Sequence, residues 1–457
     1  MDASTESADG IVDLEITDVA HGGVFVARHE GRVVFVPDAI PGERVRVRLT
    51  DPATGTDADT RRFWRGEALE VLDASPDRRA HVWRQADIDV PPEQRPGGAD
   101  FGHIALDAQR ALKLRVLRDA LQRFGRIDLP VEIAEAFPPR DDAGVPLEEE
   151  ESADGTGWRT RVSLHVDEEG RIGPYAARSH RVIEVEDHPL ATAAIERAAA
   201  ELRTGAVGRI DLVQPADGRV RVLPRPEERR TRGRGRPRRP ASPAPRPSEL
   251  IVETVAGRDF RVDVGGFWQV HRLAAASLTA VVADALRSLS GDGAAIDPDA
   301  WHLDLYGGVG LFAATLGDLG GSSTRVTSVE SDPRATEHAG ENLAEWVGAR
   351  AETARVDRWV ARLSAEASAA ERERLSRGVV LLDPPRSGAG RQVVEGIASL
   401  APASVVYVAC DPVALARDLA TFRDAGYETT GVRALDLFPN SHHVEAVATL
   451  TPITARG

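Results

Sequence analysis

An acidic or reactive side chain follows each of several short apolar runs in the second half of the chain. "LDLYGGVG" enters a glycine-rich turn after Asp304, "SVESD" presents Glu330, "LLDPP" leads to Asp383 and "VYVAC" ends in Cys410. Glycines in such a turn let a ligand approach the backbone closely. An acid about 20 residues beyond the turn is suited to accept hydrogen bonds from ribose hydroxyls. These residues predict a site for a ligand that contains a nucleoside.

Cys410 is the only cysteine in 457 residues, which excludes intramolecular disulfides and a multi-cysteine metal site. By itself the thiol is either a buried core residue or a reactive group. Glu445 stands in the apolar run "VEAVATL". Burial raises the pKa of a carboxyl group, as a general base working near neutral pH requires. For His442 and His443 we favour hydrogen bonding within the fold over metal binding, because no third ligand is evident.

The elements that must position these residues alternate between strand and helix from about residue 255 onward. That alternation is typical of an open, doubly wound parallel sheet. Ligands bind such sheets beyond the carboxyl ends of the strands. We therefore expect Asp383, Cys410, Glu330 and the glycine turn to share one rim. The turn lacks a P-loop lysine, so a dinucleotide and S-adenosylmethionine both remain candidates for the ligand.

The first half of the chain lacks this regular alternation and instead has separate stretches typical of strands, a helix and loops. Residues 11–75 alternate apolar and polar side chains and predict a small β-barrel, and residues 103–125 have the spacing of a helix. The acidic stretch 140–156 predicts a mobile loop, and residues 158–223 predict short strands with one helix. Residues 224–250 are rich in arginine and proline and predict a disordered linker.

Composition limits the class of protein. No apolar run reaches the roughly 18–20 residues of a membrane-spanning helix, and the polar, acidic start "MDASTESADG" is unlike a secretory signal. The formal net charge is −15, which argues against a strongly basic nucleic-acid-binding protein. We expect a cytoplasmic protein that binds no membrane and has no obligate protein partner.

Six motifs then match a known family in order. The catalytic half resembles the S-adenosylmethionine-dependent RNA (uracil-C5)-methyltransferases, and the β-rich start resembles the TRAM RNA-binding domain that often precedes them. The similarity rests on these stretches: "FWQVH", "DLYGGVGLF", "VESD", "DPPRSG", "ACDP" and "FPNSHHVE". "GRIGPYAARSH" and "VEDHPL" resemble the central domain of the same family.

The resemblance implies a fold and a domain order. The expected fold is α/β: a Rossmann-like methyltransferase domain, an N-terminal OB-like β-barrel and a small α+β central domain. The implied boundaries are listed in chain order: 10–75 for the TRAM barrel, 76–223 for the central domain, 224–250 for the disordered linker and 251–457 for the methyltransferase domain. The helix at 103–125 is a candidate to pack on the methyltransferase domain.

The resemblance also assigns roles. It implies that Cys410 is the nucleophile and Glu445 the general base, and that four residues line the methyl-donor site: Gln269, Tyr306, Glu330 and Asp383. The implied reaction transfers a methyl group from S-adenosylmethionine to C5 of a uridine in ribosomal or transfer RNA through a Cys–C6 adduct. The alternatives are methylation of another pyrimidine, or a non-catalytic RNA-binding or RNA-folding protein on the same scaffold.

This chain departs from the family at several positions. The family's cluster motif "CGGC" stands here as "PGGA" at 96–99, and a later "CPL" stands as "HPL" at His188. We therefore expect no iron–sulfur cluster and no metal site. His271 and Asp411 replace asparagines. Asp411 would oppose formation of the neighbouring thiolate, although it can instead cap the following helix.

Overall fold

The computed structural model describes residues 10–50, 63–141, 143–203, 205–227, 249–289 and 296–453. Five strands at the start close into a barrel in the order β1-β2-β3-β5-β4. They are β1 Ile11–Ala20, β2 Val24–His29, β3 Arg32–Val36, β4 Arg44–Leu49 and β5 Phe63–Asp73. Alternate side chains fill its interior, among them the fully buried Phe25, Val34 and Val45. The predicted barrel is confirmed.

A segment with little regular structure follows the barrel. It contains two short 3-10 turns, Arg84–Ala86 and Pro92–Gln94, and then α1, Leu106–Ala120, which continues into a π turn, Leu121–Gly125. A short strand, β6, follows at Val131–Glu135. The helix predicted at 103–125 is therefore present, beginning three residues later than its predicted start.

The next part is an antiparallel sheet in the order β10-β9-β7-β8, covered by one helix. Its elements are β7 Arg161–Val166, β8 Ile172–Gly173, α2 Ala193–Glu201, β9 Gly208–Val213 and β10 Arg221–Pro226. Thr192 caps α2 by accepting from the Ile195 N–H. Leu164, Ile195 and Leu212 form its core.

In the structure, strands occupy both ends of the segment 224–250 that was expected to be a disordered linker. Strand β10 continues to Pro226, and the next strand begins at Leu250. Alternating burial in these strands gives their ends enough apolar contact to pair. The remainder of the predicted linker, 228–248, lies outside the described residues.

The last part begins with a two-stranded hairpin and continues as the large sheet. The hairpin is β11 Leu250–Val255 with β12 Arg258–Asp263. The order in the eight-stranded sheet is β15-β14-β13-β16-β17-β19-β18-β6. Its strands after β6 are β13 His302–Leu305, β14 Val326–Glu330, β15 Arg350–Thr353, β16 Val379–Leu382, β17 Ser404–Ala409, β18 Tyr427–Asp436 and β19 Glu445–Pro452. Within this sheet only β19 runs antiparallel to its neighbours among the described strands.

Helices cover both faces of this sheet, as the doubly wound pattern predicts. They are α3 Ala274–Leu289, α4 Leu311–Gly320, α5 Pro333–Asn342, α6 Val356–Glu366, α7 Ala369–Ser376, α8 Arg391–Ser399 and α9 Pro412–Asp424. Leu381 and Val406 point into the core on one face, whereas Leu382 and Tyr407 point into the core on the other. The predicted fold class is confirmed. No helix among the described residues is both long and apolar enough to cross a bilayer.

One strand comes from outside the segment expected to form this sheet. Val131 in β6 pairs in parallel with Val432 in β18, which places β6 at the sheet edge. Leu117 and Leu121 of the preceding helical segment share a core with the α9 residue Leu415. The helix therefore packs on the methyltransferase sheet, as its candidacy allowed, whereas β6 joins that sheet from within the segment 76–223 that was expected to form the central domain.

Candidate active site

Cys410 and Glu445 lie side by side because of the strand register. Ala409 at the end of β17 pairs with Ala446 in the antiparallel β19. Cys410 is the residue after Ala409, and Glu445 is the residue before Ala446, so both residues adjoin the last pair of this register, and the charge of Glu445 acts on the Cys410 thiol. Residues opposite each other in an antiparallel pair have Cα atoms roughly 4.5–5.5 Å apart and side chains on the same face. The thiol and the carboxyl group therefore share one end of the sheet.

A negative charge on Glu445 disfavours a negative charge on the Cys410 thiol. Burial, then the charges of Glu445 and Asp383, raise the pKa of Cys410 to about 12, and Arg386 acts in the opposite direction. Burial and then Asp383 raise the pKa of Glu445 well above its usual value, again against Arg386. In the free protein the Cys410 thiol therefore holds its proton at neutral pH, and Glu445 takes up a proton more readily than an exposed glutamate does.

Two buried aspartates occupy the adjoining strand ends. The Asp383 N–H donates to the Leu305 carbonyl oxygen at 3.2 Å. Burial and then the charge of Asp304 raise the pKa of Asp383 to about 7. Burial also raises the pKa of Asp304 to about 7, although Ser328 Oγ donates to its Oδ2 at 3.1 Å. Asp304 Oδ1 has no hydrogen-bond partner among the described residues. This rim therefore holds acidic groups whose charge is not compensated.

The glycine turn after β13 closes tightly against these groups. A Cβ atom on Gly307 would collide with Ser328 Oγ and Asp304, so only glycine fits there. The Gly308 N–H donates to Glu330 Oε2 at 3.3 Å, and the Asp332 N–H donates to Oε1 at 2.8 Å. The sheet thus brings the turn and Glu330 together at one strand end, next to the two aspartates.

Tyr306 lies at the start of the turn, and Gln269 lies further away in the chain. The φ of Tyr306 is 62°, a left-handed conformation that is uncommon for a residue with a side chain. Burial, then Asp357 and Asp418, raise the pKa of its hydroxyl to about 12. Gln269 is half-buried in the segment between β12 and α3. No described hydrogen bond links its side chain to the strand-end acids.

His271, beside Gln269, fixes the acidic loop. Its ring stacks on Trp158 with centroids 5.3 Å apart, and its Nε2 lies 3.2 Å from Glu151 Oε1. Glu151 also pairs with Arg110 at 3.2 Å. Residues 140–156 were expected to form a mobile loop, but in the structure the contacts of Glu151 with His271 and Arg110 hold this part of the segment against the core.

Asp411 caps α9 and also contacts the barrel. Its Oδ1 accepts from the N–H groups of Val413 and Ala414 at 3.0 and 2.8 Å. Its Oδ2 lies 2.9 Å from Nε2 of His21, in the loop between β1 and β2. Burial opposes ionisation of Asp411, but the bonds from His21 and the two backbone groups lower its pKa overall. Sequence patterns gave no signal for His21, because its partner lies 390 residues away.

The same barrel loop forms one wall of a small cavity at Cys410. The cavity has a volume of about 120 Å³ and is lined by residues of the loop, Cys410, Arg386 and His443. Arg386 Nη2 lies 3.3 Å from His443 Nε2. Burial, then His442 and Arg386, lower the pKa of His443 to about 3, so its ring is neutral. Arg386 was visible in the sequence as part of "DPPR", but its place beside the thiol was not.

Aromatic and aliphatic side chains pack where the family motif has cysteines. Ala99 is buried with Trp83, Trp158 and Leu190, and the Trp83 ring lies 6.0 Å from that of His188. Among the described residues no group of three His, Cys, Asp or Glu side chains is arranged to hold a metal ion.

Comparison with known proteins agrees with this geometry. Residues 11–56 match the TRAM domain model, and residues 353–452 match the model named tRNA (Uracil-5-)-methyltransferase. An RNA methyltransferase of Streptomyces avermitilis whose function is uncharacterised is 37% identical, over 96% of this chain and 98% of that one. The 23S rRNA (uracil(1939)-C(5))-methyltransferase RlmD of Halomonas elongata is 30% identical, over 98% of this chain and 91% of that one.

A solved structure shares the fold across nearly the whole chain. The Pyrococcus abyssi tRNA (uracil-54, C5)-methyltransferase, in complex with S-adenosyl-L-homocysteine, aligns with a TM-score of 0.63. It is 20% identical and covers 96% of this chain and 99% of its own. With these sequence relatives and both domain matches, the chain belongs to the family of S-adenosylmethionine-dependent RNA (uracil-5-)-methyltransferases that carry a TRAM domain.

Proposed function

We propose that this protein methylates C5 of a uridine in ribosomal or transfer RNA, through a covalent bond between Cys410 Sγ and C6 of the base. The observation that carries the proposal is the adjacency of Cys410 and Glu445 at the end of β17 and β19. A soft nucleophile and a proton acceptor on the same face are the two groups that this substitution needs.

The methyl-donor site is proposed for the neighbouring strand ends. S-adenosylmethionine, when bound, supplies a methyl group on a positively charged sulfonium. The unpartnered oxygen of Asp304 and the raised pKa values of Asp304 and Asp383 suit a cationic ligand with hydrogen-bond donors. Glu330 accepts bonds from backbone N–H groups and keeps further acceptor capacity for ribose hydroxyls. Tyr306 and Gln269 complete the proposed set.

The bond changes at the base follow from these two groups. Once the thiol of Cys410 has released its proton to solvent, the thiolate adds to C6, and the electron pair of the C5–C6 double bond moves toward C5 and O4. C5 would then form a bond to the methyl carbon while the bond from that carbon to the sulfonium sulfur breaks, and S-adenosylhomocysteine would leave as the neutral thioether. Glu445 removes the remaining C5 proton, the double bond re-forms, and the bond between Sγ and C6 breaks. The thiolate is thereby regenerated, and Glu445 carries the proton.

The electrostatic interaction between Glu445 and the Cys410 sulfur favours ionisation of Glu445 once the adduct has formed. The charge of Glu445 raises the pKa of Cys410, and because such repulsion is reciprocal, a carboxylate and a thiolate disfavour each other in the resting site. When the sulfur becomes a neutral thioether in the adduct, that repulsion ends. Glu445 then ionises more readily, at the stage at which the C5 proton must leave. Arg386 favours the charged form of both groups.

The cavity at Cys410 indicates how RNA reaches the thiol. About 120 Å³ is well below the roughly 300–1,000 Å³ of ordinary ligand pockets, so it suits a single base. A base in a duplex must leave its stack to enter such a cavity. The loop between β1 and β2 forms part of the wall, so the barrel would contact the same nucleotide or its neighbours.

The proposal is tested on RNA from a strain that lacks the gene. Ribosomal and transfer RNA pools are incubated with the protein and methyl-labelled S-adenosylmethionine, and 5-methyluridine is mapped by mass spectrometry. We expect one new 5-methyluridine with the wild-type protein and none with Cys410→Ala. Methylated cytidine would favour another pyrimidine, and the absence of methylation in both pools would favour the non-catalytic alternative.

A further inference from the structure

A second and larger cavity lies between the antiparallel sheet of β7, β9 and β10 and the methyltransferase part of the chain. Its volume is about 560 Å³, and segments around Tyr175 and Gly265 complete its wall. Five arginine side chains line it: Arg159, Arg161, Arg178, Arg209 and Arg225. It is separate from the cavity at Cys410.

The cavity is cationic in an acidic protein. Among the described residues that line it, Asp211 is the only carboxylate, whereas the whole chain has a formal net charge of −15. Asp211 binds Arg209 at 2.9 Å and also pairs with Arg225, so one acid serves two guanidinium groups. A concave site with an excess of positive charge attracts an anionic ligand.

Two of the arginines lack full pairing. Arg159 is deeply placed, donates from Nε to the Arg161 carbonyl oxygen at 3.1 Å and lies over the Trp158 ring. Arg161 donates from Nη1 to the Gly266 carbonyl oxygen at 2.6 Å, and its buried Nη2 has no hydrogen-bond partner among the described residues but lies 3.8 Å from Glu253 Oε1, a long ion pair. A buried guanidinium costs free energy unless an anion or acceptor pairs with it.

An aromatic platform lies in the same wall. The Tyr175 ring stacks on His165, with centroids 3.6 Å apart and planes inclined by 15°. The Tyr175 backbone is held by the Gly97 N–H, which donates to its carbonyl oxygen at 3.0 Å. Fixed aromatic rings of this kind stack on unpaired RNA bases regardless of base identity.

Arg159 lies within electrostatic range of the cavity at Cys410. Burial and then the positive charge of Arg386 lower the pKa of Arg159. Arg386 lines the Cys410 cavity, whereas Arg159 lines the larger one. A strand of RNA with its target base at Cys410 would bring a flanking phosphate toward Arg159.

We propose that the second cavity binds a nucleotide next to the target uridine, with its phosphate at Arg159 and Arg161 and its base on Tyr175. The inference rests on the proposed RNA substrate, but it assigns a site that the chemistry at Cys410 does not require.

The test measures RNA binding apart from methyl transfer. The probe is a fluorescein-labelled, single-stranded RNA of about a dozen nucleotides, titrated by anisotropy over a range of salt concentrations. We expect Arg159→Gln to weaken binding and to reduce the salt slope by about one. Arg209→Gln, at a half-exposed position that tolerates substitution, should do the same to a smaller extent. Arg391→Gln, on the exposed face of α8, is the matched control and should change neither quantity.

Tyr175 provides a second variant pair. Tyr175→Phe keeps the ring and should bind as the wild type does, whereas Tyr175→Ala should lose between about 5-fold and 100-fold in affinity. Unchanged affinity and salt slope in Arg159→Gln, Arg209→Gln and Tyr175→Ala would overturn this inference while leaving methylation at Cys410 intact. Failure of the proposed function appears differently, as a wild-type protein that binds RNA but never methylates it.

Discussion

His21 of the barrel lies 2.9 Å from Asp411, the residue that follows Cys410. The contact joins the N-terminal barrel to the helix that begins beside Cys410. It also compensates the acid that replaces the family's asparagine, because a protonated His21 offsets the charge of Asp411. The hydrogen bond that His21 donates to the Asp411 carboxylate is the largest cause that raises the pKa of His21, against burial.

The His21 contact predicts a pH-dependent stability. Because the pKa of His21 is raised in the folded state, its contribution is fully present below the ordinary histidine pKa of about 6.5 and is lost as pH rises through the folded-state pKa. We expect His21→Ala to lower the free energy of unfolding at mildly acidic pH and to match the wild type at alkaline pH. Urea unfolding at several pH values measures this. A deficit that grows with pH would contradict the assignment.

A second prediction concerns the helix cap. Asp411→Ala should destabilise the protein by about 1 kcal/mol, because two N–H groups of α9 lose their acceptor. Asp411→Asn should retain most of that stability, since asparagine caps helices about as well as aspartate. Thermal unfolding compares the two variants, and equal losses in both would indicate that the charge, rather than the cap, supplies the stability.

The reactivity of Cys410 should report its charged neighbours. Since Cys410 is the only cysteine, alkylation by iodoacetamide follows this thiol alone. Its pKa of about 12 predicts slow alkylation that accelerates throughout the range from about pH 7 to 10 without a plateau. Glu445→Gln removes a negative neighbour, lowers the pKa of Cys410 and should accelerate alkylation at a given pH. Arg386→Gln should slow it. The opposite order of these two variants would contradict the described electrostatics.

Lys113, the only lysine in the chain, forms a buried ion pair. Its Nζ donates to Asp436 Oδ1 at 2.5 Å and to the Phe438 carbonyl oxygen at 2.9 Å, and neither side chain of the pair is exposed. Lys113→Met should cost about 3–5 kcal/mol of unfolding free energy, because the buried Asp436 charge then keeps only its longer contact with Arg110 Nε, at 3.5 Å. Adding Asp436→Asn should recover part of that loss in urea unfolding; no recovery would argue that lost packing dominates.

The glycine turn gives a prediction about the methyl donor. Gly307→Ala should weaken binding of S-adenosylmethionine, because the new Cβ collides with Ser328 and Asp304 at the proposed site. Gly340→Ala is the control, since a Cβ there meets nothing within 4 Å and alanine favours the helix. Calorimetric titration with S-adenosylmethionine compares the variants. Equal affinity in both would remove the turn from the donor site.

The elements whose signals lie within a short stretch of neighbouring residues were predictable from the sequence. The alternating strands of the barrel and the strand ends at Glu330, Asp383 and Cys410 were visible in the sequence, because burial and turn residues repeat at short intervals. The position of β6 in the large sheet was not visible in the sequence, because its five residues pair with a strand about 300 positions later. The contact between His21 and Asp411 was hidden for the same reason, because 390 residues separate the two positions.

The candidate site likewise combines features that the sequence made predictable with features that only the structure shows. Motif order placed Glu445 near Cys410 in function, but only the antiparallel register of β17 and β19 makes them neighbours in space. Periodicity had no means to reveal the arginine-lined cavity, since its members come from separate strands and loops. The buried end of the acidic loop was likewise hidden, because composition alone favours a solvated segment over the pairs that Glu151 forms.

Trapping of the adduct tests the central claim most directly. RNA that carries 5-fluorouridine in place of uridine is incubated with the protein and S-adenosylmethionine, and the mixture is separated under denaturing conditions. Fluorine at C5 cannot leave as a proton, so Glu445 cannot complete the reaction and Cys410 should stay bound to C6. We predict a protein–RNA adduct with the wild type and none with Cys410→Ala. A wild-type protein that methylates ordinary RNA yet forms no adduct with the fluorinated RNA would contradict the covalent account.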